Sequence, residues 1–174
     1  MMYAVRALPD FAEVTQLVAA PRRRVPGELA DGNGHMNVRH YLAILDDAEW
    51  TTFDAFDAGS AAAEAGTGGM FALEQLLTYR HEVLVGAEVQ VHLRLLEHDG
   101  RMLHLVSYLV DHTHDRVAAS MESLEAYVDH GTRRISPFPD RAVRELDRIV
   151  AAHAALDWRP ELSGAIALPP RRSS

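Results

Sequence analysis

The sequence predicts an α+β domain in which an antiparallel sheet wraps one long central helix. Three observations predict it: apolar residues at helical spacing from Val38 to Phe56, a switch to period-two alternation after Gly69, and an Asp99-Gly100 pair suited to a tight hairpin between two alternating runs. At 174 residues the chain is long enough for one domain with its own hydrophobic core. We place that domain at residues 1–157 and read 158–174 as a flexible tail.

Residues 1–20 carry a weak helical pattern. Arg22-Arg23-Arg24, between Pro21 and Pro26, reads as a short extended strand. In the long helix Tyr41, Leu45, Ala48, Thr52 and Phe56 recur on one side, and Leu42, Ile44, Trp50 and Phe53 widen the apolar arc, so the helix is expected to be largely buried. From Ala58 to Gly69 the residues are small, and the glycines at 66, 68 and 69 favour a loop that could serve as a lid. Four strands follow as a meander: Met70–Val83, Glu88–Leu96, Met102–Val110 and Val117–Val128. In the second, Val89, Val91, Leu93 and Leu95 alternate with Glu88, Gln90, His92 and Arg94, the mark of one apolar and one polar face. Pro137 and Pro139 break the sheet. Asp140 then suits the N-cap of an amphipathic helix carrying Val143, Leu146, Ile149 and Val150. Pro160, Pro169, Pro170 and Arg171-Arg172 give the tail the character of a linker.

Composition narrows the function. The chain is 48% hydrophobic and 24% charged, with no apolar run near the roughly 20 residues that span a bilayer, so no membrane role is expected. It has no cysteine, which removes thiol nucleophiles, thiolate metal sites and disulfides. Met1-Met2-Tyr3-Ala4-Val5-Arg6 lacks the plan of a signal peptide, so a cytoplasmic protein is expected. Seventeen basic against twenty-five acidic residues, a formal charge of -8, argue against nonspecific nucleic-acid binding. Among ten histidines only His112 and His114 have useful metal spacing, with no third ligand in sight; neither metal nor cofactor is expected. There is no P-loop and no dinucleotide fingerprint.

Before the long helix stands Asp31-Gly32-Asn33-Gly34-His35-Met36-Asn37-Val38-Arg39-His40-Tyr41. Asp31, Gly34, His35, Asn37 and Tyr41 resemble the signature of the hotdog-fold acyl-CoA thioesterases of the 4-hydroxybenzoyl-CoA thioesterase-like superfamily. The form at 33–37 is particularly similar to members associated with bacterial carnitine breakdown, which act on betainyl-CoA. Similarity extends to Phe71–Gln75, Tyr79–Val83, His98-Asp99, Leu103–Leu105 and Ala118–Glu122, and so spans roughly Val25 to Asp129. Many members carry a second asparagine where this chain has Val38, and an aspartate where it has Leu29. The resemblance implies a hotdog fold, hydrolysis of an acyl-CoA thioester without cofactor, and a homodimer or dimer of dimers.

The residues fit that chemistry on their own terms. Thioester cleavage needs a group that attacks the carbonyl or activates water, and donors for the oxyanion that forms. Asp31, with an ordinary pKa of about 3.9, is ionised at neutral pH and can do either. Free backbone N–H groups around Asn37 and Val38, at the positive end of the helix, can supply the donors. His35 reads as a brace for the turn or a base, and Asn37 as a loop clamp or helix cap. Tyr41 is either core filler or an acyl contact. Glu74, counted on the same strand face as Met70 and Ala72, is a second acid–base group, a ligand for a cationic acyl chain, or a plain solvent contact. Trp50 and the tyrosines could face a quaternary ammonium. Arg80, Arg101, Arg133 and Arg134 are candidates for the phosphates of CoA. The alternatives are a hydratase or dehydratase on the same fold, and a noncatalytic acyl-CoA-binding module.

Overall fold

The computed structural model describes residues 7–170, apart from the side chains of Ser60 and Ala61. The reading of Met1–Arg6 as no signal peptide, and that of Arg171-Arg172 as linker, lie outside the described residues. One helical turn, α1 (Phe11–Val14), is followed by two short strands, β1 (Val18–Ala19) and β2 (Arg23–Arg24), and a 3-10 turn at Gly27–Leu29. The long helix is α2 (Arg39–Asp54), with α3 (Ser60–Glu64) after it. Then come β3 (Gly68–Tyr79), β4 (Glu88–His98), β5 (Met102–Asp111), β6 (Arg116–Asp129), β7 (Arg134–Ile135) and α4 (Asp140–Ala154).

The strands form one antiparallel sheet in the order β1-β4-β5-β6-β3, with β2 also on β4 and β7 on β6. The expected meander is therefore only partly present. β4, β5 and β6 are joined by hairpins, but β3 lies beside β6, so the chain crosses the sheet between Tyr79 and Glu88. That crossing carries residues 80–87 to the start of α2.

One face of the sheet wraps α2. Tyr41, Ile44, Leu45, Ala48, Thr52 and Phe53 are buried at helical spacing, and all but Thr52 join Leu93, Leu103, Leu105, Leu109 and Met121 in the main core. The outer arc of the helix is less covered than its apolar count suggests, for Val38 and Leu42 are exposed. The helix stops at Asp54, and Gly59 lets the chain fold back, since a Cβ there would lie 2.5 Å from the backbone nitrogen of Asp54. The segment after it, expected as loop, contains α3, built from its alanine run. α4 starts one residue earlier than read: Pro139 is its N-cap, and Asp140 is its first helical residue.

Within this core sit two buried carboxyls, Glu49 on α2 and Glu125 on β6. Ser107 Oγ donates to Glu49 Oε1 at 2.5 Å. Burial pushes both groups well above the ordinary range; Asp46 adds to the shift at Glu49, and Glu49 and Asp46 add to it at Glu125.

The other face of the sheet is also covered, which the alternation in β4 did not foretell. Val14, Leu17, Val106, Tyr108, Val110, Val117 and Trp158 form a second cluster there. Beneath it His92 and Arg94, expected on a polar face, are buried. Arg94 stacks 3.9 Å from the Trp158 ring and donates to the carbonyls of His153 at 2.8 Å and Trp158 at 3.0 Å. The tail from 158, expected to be flexible, is thus laid down on the sheet. Trp158 and Ile166 are buried, and the Ser163 N–H donates to Glu122 Oε2 at 2.7 Å. Its prolines and polar residues masked two apolar anchors.

Candidate active site

The segment ahead of α2 is a small closed turn. The Asp31 N–H donates to His35 O at 2.9 Å and the Gly34 N–H to Asp31 O at 3.2 Å, with Ala30 and Met36 bridged across the base. Gly34 has φ of 84°, a backbone state that glycine adopts without strain. The Asn33 N–H donates to Asp31 Oδ1 at 2.8 Å, while Asp31 Oδ2 lies 3.4 Å from His35 Nδ1. The Asn33 N–H above all, with the His35 charge adding to it, holds the Asp31 carboxyl below the ordinary aspartate value.

This turn is tied to the crossover after β3. The Met36 N–H donates to Val83 O at 2.7 Å, and His35 is bridged to Leu84. Tyr41, one turn into α2, accepts the Val83 N–H at 3.2 Å and donates to His81 O at 3.4 Å through its hydroxyl. Its ring meets Tyr79 edge to face, at 5.2 Å between centroids and 89° between planes. These contacts close a groove of about 290 Å³ with Asp31, His35, Asn37 and Val38 on one wall, Tyr79, Arg80 and Glu82 on the other, and Tyr41 between. Glu82 Oε2 stands 3.9 Å from His35 Nε2, so His35 lies between two carboxylates.

The start of α2 offers less than the sequence proposed, and more sharply. The Asn37 N–H is spent on Leu29 O at 2.9 Å, that of Arg39 on Asn37 Oδ1 at 3.2 Å, and that of His40 on Asn37 O at 3.0 Å. The N–H of Val38 has no acceptor among the described residues. It is a backbone donor at the positive end of α2 that remains open to a ligand.

Six of the residues singled out in the sequence therefore meet here: Asp31, His35, Asn37, Val38, Tyr41 and Arg80. Glu74 does not. A bulge in β3 makes Leu73 an extra residue, so that Ala72 pairs with Glu125 and Glu74 with Leu124; Glu74 is thereby turned to the opposite face from Ala72 and is exposed. Trp50 borders a separate open groove with Arg23, Asp46 and Asp47 on the outer side of α2. Arg101 sits at the β4–β5 hairpin and Arg133 in the β6–β7 turn, both outside the groove. His112 bonds Gln90 and His114 bonds Asp111, and no group of three metal-ligating side chains occurs among the described residues. Tyr79 and Glu82 were missed as site residues. Only the crossover, which brings them some 40 positions to Tyr41, makes them part of the groove.

A family model for the thioesterase-like superfamily matches residues 25–146, which contain both walls of this groove. The chain belongs to the thioesterase-like superfamily. This thioesterase is 28% identical to the betainyl-CoA thioesterase of Pseudomonas aeruginosa over 91% of its own length and all of the relative's. A thioesterase candidate from Pseudomonas putida superposes with a TM-score of 0.72 at 28% identity, over 88% of this chain and 97% of that one. A Staphylococcus aureus protein solved in complex with CoA has the same fold, with a TM-score of 0.76 at 22% identity, over 97% of this chain and all of that one. The hotdog architecture and the activity class, acyl-CoA thioester hydrolysis, follow from this membership.

Proposed function

We propose that this thioesterase cleaves a short acyl-CoA to the free acid and CoA, with betainyl-CoA as the first substrate to test. The observation that carries the reading is an ionised carboxylate, Asp31, sharing one groove with the unfilled N–H of Val38. With the thioester carbonyl oxygen on that N–H, Asp31 attacks the carbonyl carbon, the C–S bond breaks, and CoA leaves as thiolate; water then cleaves the mixed anhydride and restores the carboxylate. In the other route Asp31 takes a proton from water, whose oxygen attacks the same carbon, and the proton passes to the leaving sulfur. His35, held between Asp31 and Glu82, positions the turn. Arg80, exposed at the rim, is suited to a phosphate of CoA. The small groove and the full-length relative that acts on betainyl-CoA support a short acyl group.

A released-thiol assay over a panel of acyl-CoAs, with product analysis, tests the reading. Free thiol and free acid from a short acyl-CoA are expected. A changed acyl chain with the thioester intact would mean a hydratase, and no reaction with any acyl-CoA would mean a binding module.

A further inference from the structure

The groove wall opposite Asp31 has a composition that thioester cleavage itself does not call for. Tyr79 packs edge to face on the ring of Tyr41, 5.2 Å between centroids and 89° between planes, and Glu82 lines the same wall as Tyr79. Tyr41 is fixed from both sides, its hydroxyl bonded to the Val83 N–H and the His81 carbonyl, and its ring is buried. Tyr79 is 45% exposed, so its ring remains open to a ligand. An open aromatic ring fixed by a buried one, beside a carboxylate, suits a quaternary ammonium. Its charge is spread over methyl groups that donate no strong hydrogen bond, so it is held by ring quadrupoles and an unneutralised anion rather than by a salt bridge. The nearby cations do not cancel this. Arg116 Nη2 donates to the Glu82 carbonyl and its Nε faces Asp111, leaving the Glu82 carboxylate to the groove; Arg80 is exposed at the rim. His35 Nε2, at 3.9 Å, is beyond hydrogen-bond distance from that carboxylate.

We propose that Tyr79, held in place by the buried Tyr41, and Glu82 form the subsite that reads a positive charge on the acyl group, selecting a trimethylammonium-bearing acyl-CoA over a neutral one of the same shape. This rests on the thioesterase reading of the same groove. It replaces Glu74 and Trp50, which the fold keeps elsewhere, with residues that line the same groove as Asp31.

The discriminating pair of substrates is betainyl-CoA and 3,3-dimethylbutyryl-CoA, which differ only in a quaternary nitrogen against a quaternary carbon. The reading is the ratio of their kcat/KM values in the wild-type protein and in Tyr79→Phe, Tyr79→Leu and Glu82→Gln. The wild type should favour betainyl-CoA. Tyr79→Leu and Glu82→Gln should each shrink that ratio about threefold to thirtyfold, whatever they do to the neutral rate, and Tyr79→Phe should keep it because the ring remains. A wild-type ratio near one, or a ratio that neither Tyr79→Leu nor Glu82→Gln moves, overturns the subsite. Should Tyr79→Leu fail to fold, Glu82→Gln, a change at an exposed residue, decides alone. The thioesterase reading fails differently, by release of no thiol from any acyl-CoA, so the two failures are distinct.

Discussion

Asp31 is held by its own turn, through the Asn33 N–H, the Gly34–Asp31 bond and the His35 carbonyl, so its charge can be removed without disturbing its surroundings. Asp31→Asn should leave thermal stability and CoA binding nearly unchanged while lowering kcat by about a hundredfold or more, measurable by thiol release beside a melting curve. Because the carboxyl is held below its ordinary value, its base form persists into acid. The acid limb of the wild-type kcat/KM profile should therefore fall below the usual aspartate pKa of about 3.9. Glu49 and Glu125 behave in the opposite sense. Burial raises them toward about 8 and about 9, so the folded chain holds protons that the unfolded chain releases from about pH 4.3 upward. Their contribution to stability is full below that point and is lost as pH climbs toward 8 or 9, by at most about 1.4 kcal/mol per pH unit for each group. Unfolding by denaturant at pH 5, 7 and 9 should show falling stability, and Glu49→Gln should flatten the trend. At this scale the sequence was informative where contacts are local. Asp31, His35, Asn37 and Tyr41 lie within eleven positions, so spacing alone brings them together. Tyr79 and Glu82 reach them through long-range contacts such as the Met36–Val83 and Tyr41–Val83 bonds, which no periodicity encodes, and Glu74 was turned the wrong way by one bulged residue, Leu73.

Among the elements, α2, the β4–β5 hairpin and α4 were legible because each carries its own period or turn signal. The position of β3 was not, since an antiparallel edge beside β6 and one beside β4 demand the same alternation. Nor was the covering of the second sheet face, which comes from segments too short or too irregular to show a period: α1, β1 and the chain from Trp158 onward. Their energetic weight is testable. Trp158 closes the second cluster and stacks on the buried guanidinium of Arg94. Trp158→Ala should lower unfolding free energy by about 3 kcal/mol or more, as a large aromatic leaves a cavity and Arg94 loses a partner, whereas a flexible tail would give almost no change. Chemical denaturation of the single variant measures it.

For the whole molecule, two properties await solution measurement. β3 is bonded to β6 along one edge and, among the described residues, to nothing along the other, and Phe71 and Leu73 on it are 38% and 46% exposed. An open apolar edge of this kind pairs readily with another strand. Light scattering at micromolar concentration should show at least a dimer, and Leu73→Lys should weaken it; a fully active monomer would contradict this. The second property is charge. With a formal net charge of -8, the polyanionic CoA must be met locally, and Arg80 is the arginine that borders the groove. The Michaelis constant should rise with ionic strength, and Arg80→Ala should raise it at low salt and blunt its dependence on salt.

The two sheet faces divide the molecule's labour in a way that bears on how it can be handled. The Ala7 N–H donates to Glu161 Oε2 at 2.7 Å, so the segment before α1 and the segment after Trp158 touch, on the side of the sheet that α2 does not occupy. A dye or a surface anchor attached at position 161 would sit behind the sheet. The groove of Asp31 and Tyr79, at the mouth of α2, would stay open to a ligand as bulky as CoA.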